Sequence, residues 1–209
     1  MQPHEIERRS FEIIDAEAGH HDFLPPAWSI VRRMIHTSAD FEYMTSVRIH
    51  PRAIAAGIEA IRRGCAIFCD TNMLRTGIRA KDLETFGVTA QCLMADSRIA
   101  QQARHSGATR ARIAVDAVAD HITDSIYAVG NAPTALLRLI ELIEQGRARP
   151  ALVIGLPVGF VNATESKAAL LRIETPYITN TGRKGGSNVA ASVVNALILL
   201  ALQEGWPCG

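Results

Sequence analysis

One imidazole, His36, and three long cations, Lys167, Arg183 and Lys184, stand where the apolar pattern of this 209-residue chain breaks into small polar residues. His36 ends an amphipathic run inside "VRRMIHTSADFEY" (31–43), and Thr37, Ser38, Ala39 and Asp40 follow at once. Two readings of that placement are open. A cationic His can simply offset the negative end of a helix dipole. It can also be a proton-transfer group at the mouth of a pocket, because an imidazole changes charge near neutral pH.

The elements around these residues follow from periodicity. Helices are expected over 3–18, closed by Gly19, and over 26–36, opened by Pro26. A third runs through "PRAIAAGIEAIRRG" (51–64), while 41–50 fits neither helix nor strand clearly. From there short apolar runs alternate with helical ones. Strands are expected at 65–69, 89–94, 125–130, 151–156 and 177–180. Helices fill 79–86, 97–105, 109–121, 132–145, 163–173 and about 186–204. The alternation predicts an α/β fold: a three-layer, doubly wound, flavodoxin-like domain with five mostly parallel strands. No repeat or linker divides it, so residues 1–209 read as one domain.

In such sheets ligands bind beyond the carboxyl ends of the strands. Four strands exit there into "DTNMLRTGI" (70–78), "GNAPTALLRL" (130–139), "LPVGFVNATESK" (156–167) and "TGRKGGSN" (181–188). Gly lets backbone approach a ligand, and helix starts offer free N–H groups to anions. With Lys167, Arg183 and Lys184 the expected site is a rim of donors and cations around something negatively charged. Each loop alone has a plainer reading, as a capped helix start or an exposed turn; their shared edge favours a site. "GRKGGS" is not a phosphate-binding P-loop, since its Lys precedes the Gly pair, and no G-x-G-x-x-G follows the first strand. There is also no G-x-S-x-G elbow and no H-E-x-x-H.

Composition narrows the classes further. The chain is 48% hydrophobic but only 5% aromatic, and 22 basic residues nearly balance 21 acidic ones. That argues against nucleic-acid binding, which needs basic excess and stacking surfaces. Cys65, Cys69, Cys92 and Cys208 form no C-x-x-C pair and read as reduced thiols, so a cytoplasmic location is expected. His20, His21 and Asp22 are adjacent on a loop, a poor metal pattern, and no metal site is expected. "MQPHEIERRS" is charged and lacks a signal-peptide core, and the apolar run "VVNALILLALQ" is broken by Asn195. It suits a buried helix better than a membrane span.

Taken in order, "RSFEII" (9–14), "RRMIHT" (32–37), "CDTNM" (69–73), "GNAPTAL" (130–136), "PVGFV" with "ESK" (157–161, 165–167) and "GRKGGSNVAA" (182–191) resemble the precorrin-8X methylmutase family, which includes the cobalt-precorrin-8 methylmutases. The resemblance covers about residues 5–200. It implies an isomerase of cobalamin biosynthesis that moves a methyl group from C-11 to C-12 of a polycarboxylate tetrapyrrole, with no cofactor. The products would be hydrogenobyrinic acid or cobyrinic acid. It also implies a homodimer with sites at the subunit interface.

The family's catalytic histidine matches His36, which implies a proton donor or hydrogen-bond donor to a ring nitrogen. Ser10 matches a substrate-touching Ser of the first helix, and Arg110 an Arg that reaches substrate across the dimer. Asp70, Asn131, Thr134, Lys167, Arg183, Lys184 and Ser187 are expected at substrate carboxylates or in backbone contacts that hold the loops. Asn162 and Thr164 replace smaller residues often found there, and the wording of "HTSADF" and "GRKGGSNVAA" is closer to the cobalt-dependent branch. Two other functions compete: a non-catalytic tetrapyrrole carrier of the same pathway, and a nucleotide-binding regulator using "GRKGGS".

Overall fold

A computed structural model of the chain describes residues 2–203. Cys208, and residue 204 of the last expected helix, lie outside the described residues. In chain order the elements are α1 (Pro3–Ala18), α2 (Pro25–Ser38), α3 (Tyr43–Ser46), β1 (Val47–Ile49), α4 (Ala53–Arg62), β2 (Ile67–Cys69), α5 (Asn72–Gly77), α6 (Ala80–Glu84), β3 (Ala90–Gln91), α7 (Ser97–Ser106), α8 (Arg110–Val118), β4 (Ile126–Val129), α9 (Pro133–Glu144), β5 (Leu152–Gly155), α10 (Ala163–Leu170), β6 (Tyr177–Asn180) and α11 (Ser187–Leu202). A single turn of 3₁₀ helix, Ala119–His121, follows α8.

The strands form one sheet in the order β1-β6-β5-β4-β2-β3, parallel except for β1, which runs antiparallel to β6. The sheet therefore has six strands, not the expected five. The extra strand lies in the unassigned stretch 41–50. Its three residues, Val47, Arg48 and Ile49, alternate buried, exposed and half-buried, as an edge strand does, but are too few to show a period.

Side chains alternate along each central strand between two hydrophobic clusters. Ile67, Cys69, Ile126, Ala128, Leu152 and Ile154 enter one, with α2, α4 and α11. Phe68, Tyr127, Val129 and Val153 enter the other, with α8 and α9. Such alternation puts the two clusters on opposite faces of the sheet. The largely apolar character of "VVNALILLALQ" is explained by α11, which packs against α2, α4 and α5 and buries residues around most of its circumference. Among the described residues no helix is long and apolar enough to cross a membrane.

The chain steps outward from β2 to β3 and then returns past β2 to β4. Strand order reverses between β2 and β4, so a crevice opens beyond their carboxyl ends. Gly130 closes β4 there. A Cβ on it would lie 2.6 Å from Cα of Ser187 and 2.8 Å from its backbone nitrogen. Only a residue without a side chain lets α11 start this close to the sheet. Gly130→Ala should therefore lower stability by about 1–3 kcal/mol, the usual cost of overpacking, in urea denaturation. An unchanged midpoint would contradict the close approach.

Candidate active site

β2 delivers Asp70 to that crevice, 3% exposed. One carboxylate oxygen accepts the N–H of Gly130 (2.9 Å), and the other accepts those of Asn131 (2.8 Å) and Ala132 (2.7 Å). Burial pushes this carboxyl group above the usual carboxylate range, and the three backbone donors offset only part of that rise. Both oxygens face backbone N–H groups, so Asp70 shapes the loop after β4. Asn131, whose backbone is held this way, leaves its side chain exposed. Thr134, in the first turn of α9, meets the hydroxyl of Thr109 at 3.0 Å and so joins the starts of α8 and α9. Ser187 pairs through its hydroxyl with Thr71 (2.8 Å), whose oxygen also caps α5 by accepting the N–H of Leu74.

Beneath the turn after β6 lies Lys167, 1% exposed. Its Nζ donates to Oδ1 of Asn180 (3.1 Å) and to the carbonyl of Lys184 (2.7 Å). No carboxylate pairs with it among the described residues, and burial pushes its ammonium down to about 8. Nδ2 of Asn180 donates to the carbonyls of Thr181 and Lys184, completing the support. The Lys184 ammonium points elsewhere, to Asp40 (2.6 Å) and Glu42 (2.8 Å) just past α2. The hydrogen bond to Lys184 holds the Asp40 carboxyl below the usual carboxylate range. Of the three expected loop cations, two thus hold the fold together. Arg183 is the one of the three that is exposed and without a hydrogen-bonded or acidic partner among the described residues; its guanidinium lies 5.4 Å from the centre of the Phe160 ring, itself 85% exposed.

The helix carrying His36 runs two residues further than expected. Ser38 donates to the carbonyl of Met34 (2.6 Å), and Ala39 ends α2 in the left-handed region, its N–H reaching Ile35. His36 is therefore in the last turn, exposed, with its ring centre 5.1 Å from that of Phe11 on α1. Arg32 and Arg33 place their guanidinium groups 4.4 and 5.1 Å from the same Phe11 ring, and pair with Asp15 (2.8 Å) and Glu7 (3.0 Å) of α1. Trp28 adds a hydrogen bond to Asp15 (2.9 Å). The two ion pairs pin α1 to α2 and fix the aromatic wall behind the imidazole.

His36 lines two clefts. One, of about 380 Å³, also holds Ser10, Ile13, Ile14, Glu17 and Phe41. The other, of about 600 Å³, holds His4, Ile6, Glu7 and Arg79. Ser10 donates to the carbonyl of Ile6 (2.8 Å), which leaves its oxygen able to accept. The turn after β6 reaches this end of α2 through Lys184, and Asn188 at the start of α11 donates to the carbonyl of Thr37 (3.4 Å). Arg110 is not brought to His36. It is the exposed first residue of α8, a helix of the cluster on the opposite sheet face. Sequence reasoning missed Phe11 as a wall of the imidazole, and missed Arg79. Phe11 follows Ser10 directly on α1, whereas Arg79 sits in the short connection before α6, where no sequence signal marks it.

The model of the family described as precorrin-8X methylmutase matches residues 5–200. The chain is 46% identical over 201 residues to the cobalt-precorrin-8 methylmutase of Priestia megaterium, covering 96% of this chain and 89% of that protein. It is 42% identical over 208 residues to the cobalt-precorrin-8 methylmutase of Leptospira interrogans, covering 96% and 94%. Among solved structures, a precorrin-8X methyl mutase from Thermus thermophilus superposes with a TM-score of 0.88 at 45% identity, over 94% of this chain and 96% of that one.

The buried Lys167 makes stability depend on pH in a defined direction. Its folded value, about 8, lies below the ordinary 10.5, so between these two values the unfolded chain binds more protons. Stability should rise with pH across that window, by on the order of 1–3 kcal/mol, and fall back as pH drops through 8. Urea midpoints of the wild type and Lys167→Met at pH 8 and pH 10 measure this. The variant should lose the upward slope; equal slopes would show that the ammonium is not desolvated.

Proposed function

The chain belongs to the precorrin-8X methylmutase family, isomerases of cobalamin biosynthesis, and we propose that it moves a methyl group from C-11 to C-12 of precorrin-8X or cobalt-precorrin-8. The product is hydrogenobyrinic acid or cobyrinic acid. The observation that carries this reading is His36, exposed between two clefts and backed by Phe11, with Ser10 in one of them.

The methyl leaves C-11 and bonds C-12 within one molecule, so substrate and product have the same composition. His36 lends a proton or hydrogen bond to a ring nitrogen and takes it back, selecting the tautomer in which the neighbouring carbon accepts the methyl. Ser10 accepts or donates a hydrogen bond at the ring edge. The remaining protein work is placement. Arg183 and the exposed side chain of Asn131 meet substrate carboxylates from the rim, while Asp70, Thr134, Lys167, Lys184 and Ser187 hold the loops that present them.

In this reading the active unit is a homodimer. Its support is the separation of Arg110 from His36 within one chain, together with the exposed apolar side chains of Val158, Phe160 and Val161 at the sheet edge. A second copy covers that apolar edge and supplies its Arg110 to the neighbouring site. The scaffold is read as flavodoxin-like and three-layered, supported by the order of the five parallel strands and by the two core clusters. The reaction is placed in the cytoplasm, supported by the free thiols Cys65, Cys69 and Cys92.

His36→Ala should lower turnover by about 10²–10⁴, the usual worth of a positioned proton donor, while product still binds in an absorption titration. Surviving turnover would remove His36 from the chemistry. A wild type that binds the ring and never turns substrate over would instead make the protein a carrier. Arg110→Ala should weaken binding of hydrogenobyrinic acid by about tenfold or more, the worth of a charged hydrogen bond, and flatten its salt dependence. Unchanged affinity would take Arg110 out of the site.

A further inference from the structure

The two clefts that meet at His36 differ in charge. The Ser10 cleft is walled by Ile13, Ile14, Ile35 and Phe41 and contains one carboxylate, Glu17, and no Lys or Arg. The larger cleft contains Arg79. Its other charged member, Glu7, is already bound by Arg33 at 3.0 Å. We propose that Arg79 is the anchor for one carboxylate side chain of the tetrapyrrole, and thereby sets which ring nitrogen faces His36. The proposal rests on the tetrapyrrole reading above and adds to it a residue that determines orientation.

Three features suit Arg79 to this role. Its Nε is held by the carboxylate of Asp82, three residues on, which fixes the plane of the guanidinium. Its terminal nitrogens have no partner among the described residues, so the outward edge of the fork is open to a second carboxylate, the two-pronged geometry that guanidinium groups favour. The backbone beneath is fixed independently of the side chain. Asn195 of α11 accepts the Arg79 N–H through Oδ1 (2.9 Å) and donates through Nδ2 to the carbonyl of Gly77 (2.9 Å). This is the physical use of the single polar residue interrupting the apolar run of α11: it clamps the 77–79 segment against the rigid centre of the molecule.

The contrast with Lys184 strengthens the assignment. That ammonium is enclosed by two carboxylates, Asp40 and Glu42, so the local balance around it is negative. An incoming carboxylate is repelled there and accepted at Arg79. The apolar cleft on the other side of His36 then takes the part of the ring edge that carries methyl groups. A ring turned end for end would put a carboxylate against Glu17 and a methyl against Arg79, leaving both mismatched.

The test compares two ligands on three proteins by absorption titration: hydrogenobyrinic acid and its fully esterified counterpart, with wild type, Arg79→Gln and Arg79→Lys. The polyacid should bind Arg79→Gln about 10- to 100-fold more weakly than wild type, with partial recovery in Arg79→Lys, which keeps the charge but not the fork. The ester should bind wild type and Arg79→Gln alike. Equal affinity of the polyacid for wild type and Arg79→Gln would overturn the anchor, as would an equal loss with both ligands, which would mark a structural effect. A wild type that neither binds the polyacid nor turns over substrate would overturn the tetrapyrrole reading itself, and this inference with it.

Discussion

The carboxylate of Asp70 decides where the loops at the carboxyl edge of the sheet can stand. It is buried at the point where strand order reverses, and three consecutive N–H groups converge on it. Without an acceptor the Gly130 N–H would be buried unsatisfied and the part-buried N–H groups of its two neighbours would lose their partner, a cost above that of an ordinary lost hydrogen bond. The loop after β4 is thus curled around an anion supplied by β2. That curl brings Gly130 under the first residue of α11, where no side chain fits. α11 in turn carries Ser187, Asn188 and Asn195, which reach the loop after β2, the end of α2 and the segment before α6. One carboxylate and one missing Cβ therefore set the positions of most loops around the site.

Positive charge at this edge divides between holding and receiving. Lys167 is buried under the turn after β6 and donates to a carbonyl and an amide, roles that need a long flexible donor but not a charge on the surface. Lys184 bridges to two acids of the segment after α2 and fastens the same turn from above. Among the described residues the guanidinium groups of Arg79, Arg110 and Arg183 keep open edges. Arginine suits this because its charge persists at any working pH and its planar fork matches a carboxylate, whereas a lysine near the same loops is drawn into burial or ion pairing.

Local pattern carried much of the fold and less of the site. The strand at 177–180 and the helix at 3–18 coincide with their expected bounds, because each contains its own period and its own stop signal. β1 was missed because three residues hold no period, and its pairing partner lies more than a hundred residues away. The edge at which the loops gather followed from strand–helix alternation alone. What each residue does there did not. Lys184 meets Asp40 across 144 positions of sequence, and Asp70 meets Ala132 across 62. No spacing rule reaches that far, so the contacts that residues expected at the rim make with the rest of the chain could not be read from the sequence. Composition did register the cations; only the fold shows which of them have partners.

An exposed histidine is an unpromising catalyst if it is free to wander, since proton transfer needs the imidazole within hydrogen-bond reach of one atom. Here mobility is removed from behind. Phe11 packs on the ring, and the Phe11 side chain is itself held by Arg32 and Arg33, whose ion pairs to Asp15 and Glu7 fasten α1 along α2. Surface ion pairs contribute little to stability singly. Their value here is geometric: two pairs flanking one aromatic ring fix the angle between the helices, and so the plane of the wall against which the imidazole rests. Backed by Phe11 and open in front, the His36 imidazole stands between two clefts of unlike lining, one mainly apolar and one containing Arg79.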